Sequence, residues 1–246
     1  MKYNIKTTSD YSYFPFLRIL INSILLNCNK KYLNKIYIFN TGMDESQLKY
    51  LTSLSPCIVI INTGSFTNFK GGTWGEDWQL NVKGKTKWLL ETINMTEEPV
   101  LMLDSDMMVI KDLHELLIKG GDIQVCVRNN RDTPYIGSYF FSINKEKSIP
   151  FLKEWIIKTN SSNAKRPLES PALCRTVLDF NNKLHIKEID ETLVNVISPS
   201  SLTSETYVVH FKGTRLDNNI TESFNDRIIE RGWEEYIKKN IYGFKK

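Results

Sequence analysis

The chain has 246 residues, 41% of them apolar and 24% charged, which is enough to bury one large core and excludes a disordered or fibrous polypeptide. Its 32 basic and 28 acidic residues leave a net charge of +4 with no long basic block, so nothing calls for nucleic acid. That balance suits a protein that handles phosphorylated substrates, or one that touches an anionic membrane surface weakly. In chain order, Lys2 to Thr7 reads as a strand, Thr8-Ser9-Asp10 as turn and cap, and Phe16, Leu17, Leu20, Ile21, Ile24 and Leu25 as the apolar face of a helix. Lys35 to Phe39 repeats the strand signal, Asp44 caps a helix to about Leu54, and Cys57 to Ile61 is a third strand. Three strands separated by two helices predict a parallel, doubly wound sheet, with ligands beyond the carboxyl ends of its strands, near Thr7, Asn40 and Asn62.

Thr63 to Lys85 holds Gly64, Gly71, Gly72, Gly75 and Gly84 among Phe66, Phe69, Trp74 and Trp78, and predicts a long loop before a helix from Thr86 to about Met95. Its aromatics either stack on a sugar ring or pack in the interior. Pro99 to Leu103 is a fully apolar strand of the kind buried mid-sheet. Met107 to Ile110, Ile123 to Val127, Tyr139 to Ile143, His185 to Ile189 and Thr206 to His210 follow as strands. Helices are expected after Asp112, over Pro150 to Thr159, over Ala172 to Phe180 opened by Pro171, and over most of Glu222 to Tyr242. One domain is thus expected over residues 1–215, with a C-terminal helical extension, 216–246, packed on it. The cysteines Cys28, Cys57, Cys126 and Cys174 are scattered and read as reduced core thiols of a cytoplasmic protein. No secretory signal or transmembrane segment is expected, because the longest apolar run, Phe14 to Leu26, is broken by Pro15, Arg18, Asn22 and Ser23.

The sharpest chemical feature is Asp104-Ser105-Asp106, directly after the apolar strand. Two carboxylates one residue apart, leaving a buried strand, offer hard oxygen ligands suited to Mn2+ or Mg2+. The competing reading is that they terminate the strand and cap a turn.

Pro99 to Ile110, PVLMLDSDMMVI, resembles the signature strand and Asp-x-Asp motif of GT-A nucleotide-sugar glycosyltransferases, most closely those of the glycogenin and bacterial galactosyltransferase type and the putative nucleotide-diphospho-sugar transferases related to them. Tyr135 to Phe141 resembles the segment beneath the donor and acceptor sugars, with Gly137 retained and Ile136 where many relatives have asparagine. Val208 to Gly213 is similar to the late His-x-x-Gly element, which implies His210 as a third metal ligand beside Asp104 and Asp106. A lone histidine ending an apolar strand otherwise reads as structural.

The resemblance covers roughly residues 1–215. It implies an α/β GT-A fold, a mixed, mainly parallel sheet flanked by helices. It also implies a nucleotide diphospho-sugar donor, UDP-linked, and an acceptor hydroxyl on a glycan, lipid or protein. Thr7, Thr8 and Tyr11 fall where the family binds base and ribose, and Tyr11 either stacks on the base or covers the helix end. Ser105, Lys212, Gly213 and Arg215 are assigned to the diphosphate side, together with Lys87, for which Lys85 competes. Glu169, in Glu169-Ser170-Pro171, stands where an Asp-Gln pair is common; it either serves the transferred sugar as catalytic carboxylate or favours a helix N-terminus. Two other functions stay open: a catalytically silent sugar-nucleotide-binding module, and a sugar-phosphate nucleotidyltransferase, disfavoured because Thr7 to Tyr11 lacks a glycine- and arginine-rich loop.

Overall fold

Two buried strands seed the sheet of the protein, described here from a computed structural model at residues 1–64, 76–161, 169–212, 228 and 232–238. β1 (Tyr3–Ser9) pairs parallel with β2 (Leu33–Asn40), Ile5 opposite Ile36 and Ser9 opposite Asn40. Parallel neighbours need a crossover, and α1 (Phe14–Asn27) supplies it, with Pro15 in its first turn, where a missing N–H costs nothing. Its Leu17, Leu20, Ile21 and Ile24 are fully buried. α2 (Glu45–Leu54) opens on a capping box, in which Asp44 accepts from the Gln47 backbone N–H and the Gln47 side chain accepts from that of Asp44. It returns the chain to β3 (Ile58–Asn62), parallel to β2.

α3 (Glu76–Met95) corrects the expected loop: the chain is already helical at Glu76, not first at Thr86. Gly84 looks like a breaker in the sequence, yet it is a packing residue. A Cβ there would lie 2.5 Å from the Trp88 ring, which stacks on Phe39 of β2 at 5.7 Å. Residues 65–75, with Phe66, Phe69 and Trp74 of the expected sugar-stacking loop, lie outside the described residues.

β4 (Val100–Leu103) enters beside β1, with Leu101 and Leu103 in the core cluster on one face of the sheet and Val100 and Met102 in the cluster on the other. That is why the strand has no polar position. β5 (Met107–Val109), α4 (His114–Leu117), β6 (Ile123–Val127) and β7 (Tyr135–Ser142) follow. β7 begins at Tyr135, earlier than the expected Tyr139, so Ile136, Gly137 and Ser138 are strand residues. α5 (Lys145–Asn160) starts ahead of Pro150 because Asn144 caps it by accepting from the Lys147 N–H. α6 (Glu169–Phe180) carries Pro171 in its first turn, and β8 (Ile186–Asp190) leads into α7 (Glu191–Val194), capped by Asp190.

The main sheet has the order β3-β2-β1-β4-β7-β6-β8. Only β7 runs against the others, so the carboxyl ends of β1, β2, β3, β4, β6 and β8 share one edge. β9 (Val208–His210) pairs antiparallel with β5 in a separate two-stranded ribbon. α8 (Trp233–Ile237) lies on that ribbon's cluster, with Trp233 edge-on to Phe211 at 5.6 Å. Among the described residues no helix is long and apolar enough to cross a membrane.

Candidate functional site

The ribbon explains how His210 meets residues far upstream. Met107 and His210 are register partners, and the Phe211 N–H donates to the Asp106 carbonyl at 2.8 Å. His210 Nε2 consequently lies 3.2 Å from Asp106 Oδ1. Asp104 is fixed from the other side, its N–H donating to the Ser138 carbonyl of β7 at 3.2 Å. One ligand atom each from Asp104, Asp106 and His210 can be chosen with all three within 4.8 Å of one another.

The imidazole is oriented by a residue that no sequence feature singled out. His210 Nδ1 lies 2.7 Å from Asn195 Oδ1, and the Ser138 hydroxyl donates to the same oxygen at 3.5 Å. A carbonyl oxygen can only accept, so Nδ1 carries a proton and the ring turns Nε2 towards Asp106, the nitrogen that would ligate a cation bound there. Two carboxylates and an imidazole held by its other nitrogen fit a divalent metal. Removing that hold has a definite expected cost. Asn195→Ala should weaken Mn2+ binding by about 10–100-fold while the fold persists, and Asn195→Asp, which keeps an acceptor, should restore most of it. Equal Mn2+ affinities by calorimetry for the wild-type and Asn195→Ala proteins would refute this.

Of the two lysines expected near the donor, Lys85 reaches the carboxylates. Its Nζ lies 2.8 Å from Asp104 Oδ1 and 3.6 Å from Glu169 Oε1, whereas Lys87 is exposed and pairs with Glu91 at 3.9 Å. Burial opposes the Lys85 charge, but Asp104 and Glu169 outweigh it and hold the ammonium above the usual lysine range. Glu169 is brought in because Gly137 has no side chain: a Cβ at 137 would lie 2.8 Å from Glu169 Cγ. The Gly137 N–H donates to the Ser170 hydroxyl at 3.1 Å, which seats the start of α6 on β7.

Beneath Lys85, Lys6 is fully buried and donates to Thr8 Oγ1 at 2.7 Å and to the Lys85 carbonyl at 3.2 Å, over the rings of Phe39 and Trp88. Burial, then the neighbouring Lys85 charge, push its pKa well below the ordinary value. Between that lowered value and about 10.5 the unfolded chain binds a proton that the folded one does not, so folding stability rises with pH across that window. Lys6→Met should therefore raise stability at pH 7 by roughly 1–3 kcal/mol, and the gain should shrink as pH climbs towards 10.5. Thermal unfolding across that range tests it, and a pH-independent difference would overturn it.

Thr7 is buried, and its hydroxyl has no hydrogen-bond partner among the described residues. Tyr11 stands 58% exposed just past β1, open to a flat ligand. Asn40 is committed to its own turn, accepting from the Gly42 and Met43 N–H groups. Ser105 is buried between the two aspartates. Lys212 follows His210; burial and then Arg128 push its pKa down, against the pull of Asp106, Asp104 and Glu169. Gly213 and Arg215 lie outside the described residues.

No family model and no curated protein matches the sequence. Solved structures do resemble it. The bifunctional glycosyltransferase WbbM, in its apo form, superposes with a TM-score of 0.61 at 12% identity over 98% of this chain and 52% of its own. LgtC, a galactosyltransferase solved with donor and acceptor sugar analogues, gives a TM-score of 0.58 at 12% identity over 99% of this chain and 96% of its own. An active-site mutant of LgtC gives 0.59 at 12% identity over 94% and 95%. The fold is GT-A. This chain spans about half the length of WbbM and nearly all of LgtC. In GT-A terms the Asp104–Asp106–His210 group sits where β4 leaves the sheet, at the shared carboxyl edge.

Proposed function

We propose that the protein is a metal-dependent glycosyltransferase that moves a hexosyl group from a UDP-sugar to an acceptor hydroxyl. The observation that carries this reading is the Asp104–Asp106–His210 cluster, with the imidazole held through Asn195, at the carboxyl edge of a GT-A sheet. Asp104, Asp106 and His210 hold Mn2+ or Mg2+. When bound, the cation neutralises charge on the departing diphosphate, which lowers the barrier to breaking the anomeric bond without acid protonation. Thr7, Thr8 and Tyr11 receive the base and ribose, and Ser105, Lys212, Gly213 and Arg215 serve the phosphates.

Lys85, anchored between Asp104 and Glu169, supplies a fixed positive charge beside the diphosphate. Glu169, packed on Gly137, is the carboxylate assigned to the transferred sugar, accepting from its hydroxyls and stabilising positive charge at the anomeric carbon. The acceptor is a glycan, lipid or protein hydroxyl, and the enzyme works in the cytoplasm without nucleic acid.

The test is purified protein with Mn2+ and a panel of nucleotide sugars, followed by slow donor hydrolysis and thermal stabilisation. Release of UDP from one donor, abolished by EDTA and restored by Mn2+, is expected. Binding of Mn2+ and a UDP-sugar without turnover on any acceptor would favour the silent module, and pyrophosphate release from a nucleoside triphosphate plus sugar phosphate the nucleotidyltransferase.

A further inference from the structure

Arg128 follows β6 on the sheet edge that carries Asp104, because β6 and β4 run in the same direction. β7 alone separates the two strands, so Arg128 stands about 10 Å across the sheet from β4, on the side away from β1. The nucleotide is assigned to the β1–β3 half, so a molecule approaching the transferred sugar from the other side arrives over β7 and β6.

The arginine is held there and left unpaired. Its backbone N–H donates to the Pro134 carbonyl at 2.7 Å, and one guanidinium nitrogen donates to the Thr133 carbonyl. Asn129 next to it is tied to Asp190 at 2.8 Å. Arg128 Nε is buried with no hydrogen-bond partner, and among the described residues Arg128 makes no ion pair. A buried N–H without a partner, on a guanidinium that no carboxylate among those residues neutralises, is costly, and an anion relieves it. The guanidinium fork matches a carboxylate or phosphate in two-point contact.

We propose that Arg128 binds an anionic group of the acceptor, so that the sugar is transferred to a phosphate- or carboxylate-bearing molecule. This rests on the glycosyltransferase reading above. The alternative source of the same anion is the donor, as the carboxylate of a uronosyl group.

Arginine Nε–H resonances of the 15N-labelled full chain, recorded with and without UDP and Mg2+, provide the test. The Arg128 signal is assigned by its loss in Arg128→Lys, with Arg131→Gln as an exposed control. It is expected to shift saturably with sulfate and with a methyl hexoside 6-phosphate in the UDP–Mg2+ form, and to ignore the neutral methyl hexoside and equal chloride. In a transfer assay Arg128→Gln should raise KM at least tenfold for an acidic acceptor, with kcat for donor hydrolysis within twofold. No shift with either anion overturns the proposal. A shift with UDP-hexuronate but not with UDP-hexose, before any acceptor is added, moves the anion to the donor and also overturns it. Failure of UDP and Mg2+ to bind at all sinks the glycosyltransferase reading instead, and is seen in the same spectra whatever sulfate does.

Discussion

Asp104→Asn and Asp106→Asn are each expected to lower UDP release by about a thousandfold or more, corresponding to roughly 4 kcal/mol of lost transition-state stabilisation. The substitutions are close to isosteric, and the backbone that presents them is held independently, at Asp104 by Ser138 of β7 and at Asp106 by Phe211 after β9. The fold should therefore survive, with circular dichroism and melting in the absence of metal little changed. In Asp106→Asn the His210 imidazole keeps its bond to Asn195, so loss of activity there reports the missing carboxylate and not a displaced histidine. Stabilisation by Mn2+ should fall in parallel with activity. Turnover within tenfold of wild type in both variants would mean that the leaving diphosphate is neutralised by protein cations alone.

How much of this was legible before the structure depends on what each residue's neighbours in sequence reveal. Asp104 and Asp106 stood out because the four residues before them are wholly apolar, and a strand buried on both faces gives no reason for two carboxylates at its end. The ribbon that brings His210 to Asp106 was not visible as a pairing, since both strands are only three residues long; only the likeness to a known motif singled the histidine out. The sequence leaves Lys85 and Lys87 competing because Gly84 reads as part of a loop ending at Lys85, whereas the glycine gives clearance to the Trp88 ring, which depends on a contact across to β2. Asn195 and Arg128 left no signal at all. One acts on a histidine fifteen positions later through a single hydrogen bond, and the other owes its place to the direction in which β6 runs.

Lys85→Met is expected to be strongly damaging to the metal-free protein, destabilising it by about 3–5 kcal/mol. Lys85 is the cation in contact with Asp104 and Glu169, side chains 21% and 17% exposed, with Asp106 adding to the same field. Remove it and those carboxylates repel one another in a partly desolvated site. At roughly 2–4 °C of Tm per kcal/mol in a chain of this size, the loss should be of the order of 10 °C. The sign with pH follows from the direction of the shift. The lysine's pKa is raised above its unfolded value, so its contribution is complete below about pH 10.5 and is lost only above that, and the gap between wild type and variant should be flat from pH 6 to 9. A cavity alone would give a similar loss, but it would not respond to metal. Excess carboxylate charge does respond: Mn2+ should raise the Tm of Lys85→Met by more than it raises that of wild type, because in the variant the cation replaces a missing charge and need not compete with a resident one. An Mn2+ shift in the variant no larger than in wild type would show that Lys85 is held there for packing, and that Asp104 faces the cation without competition.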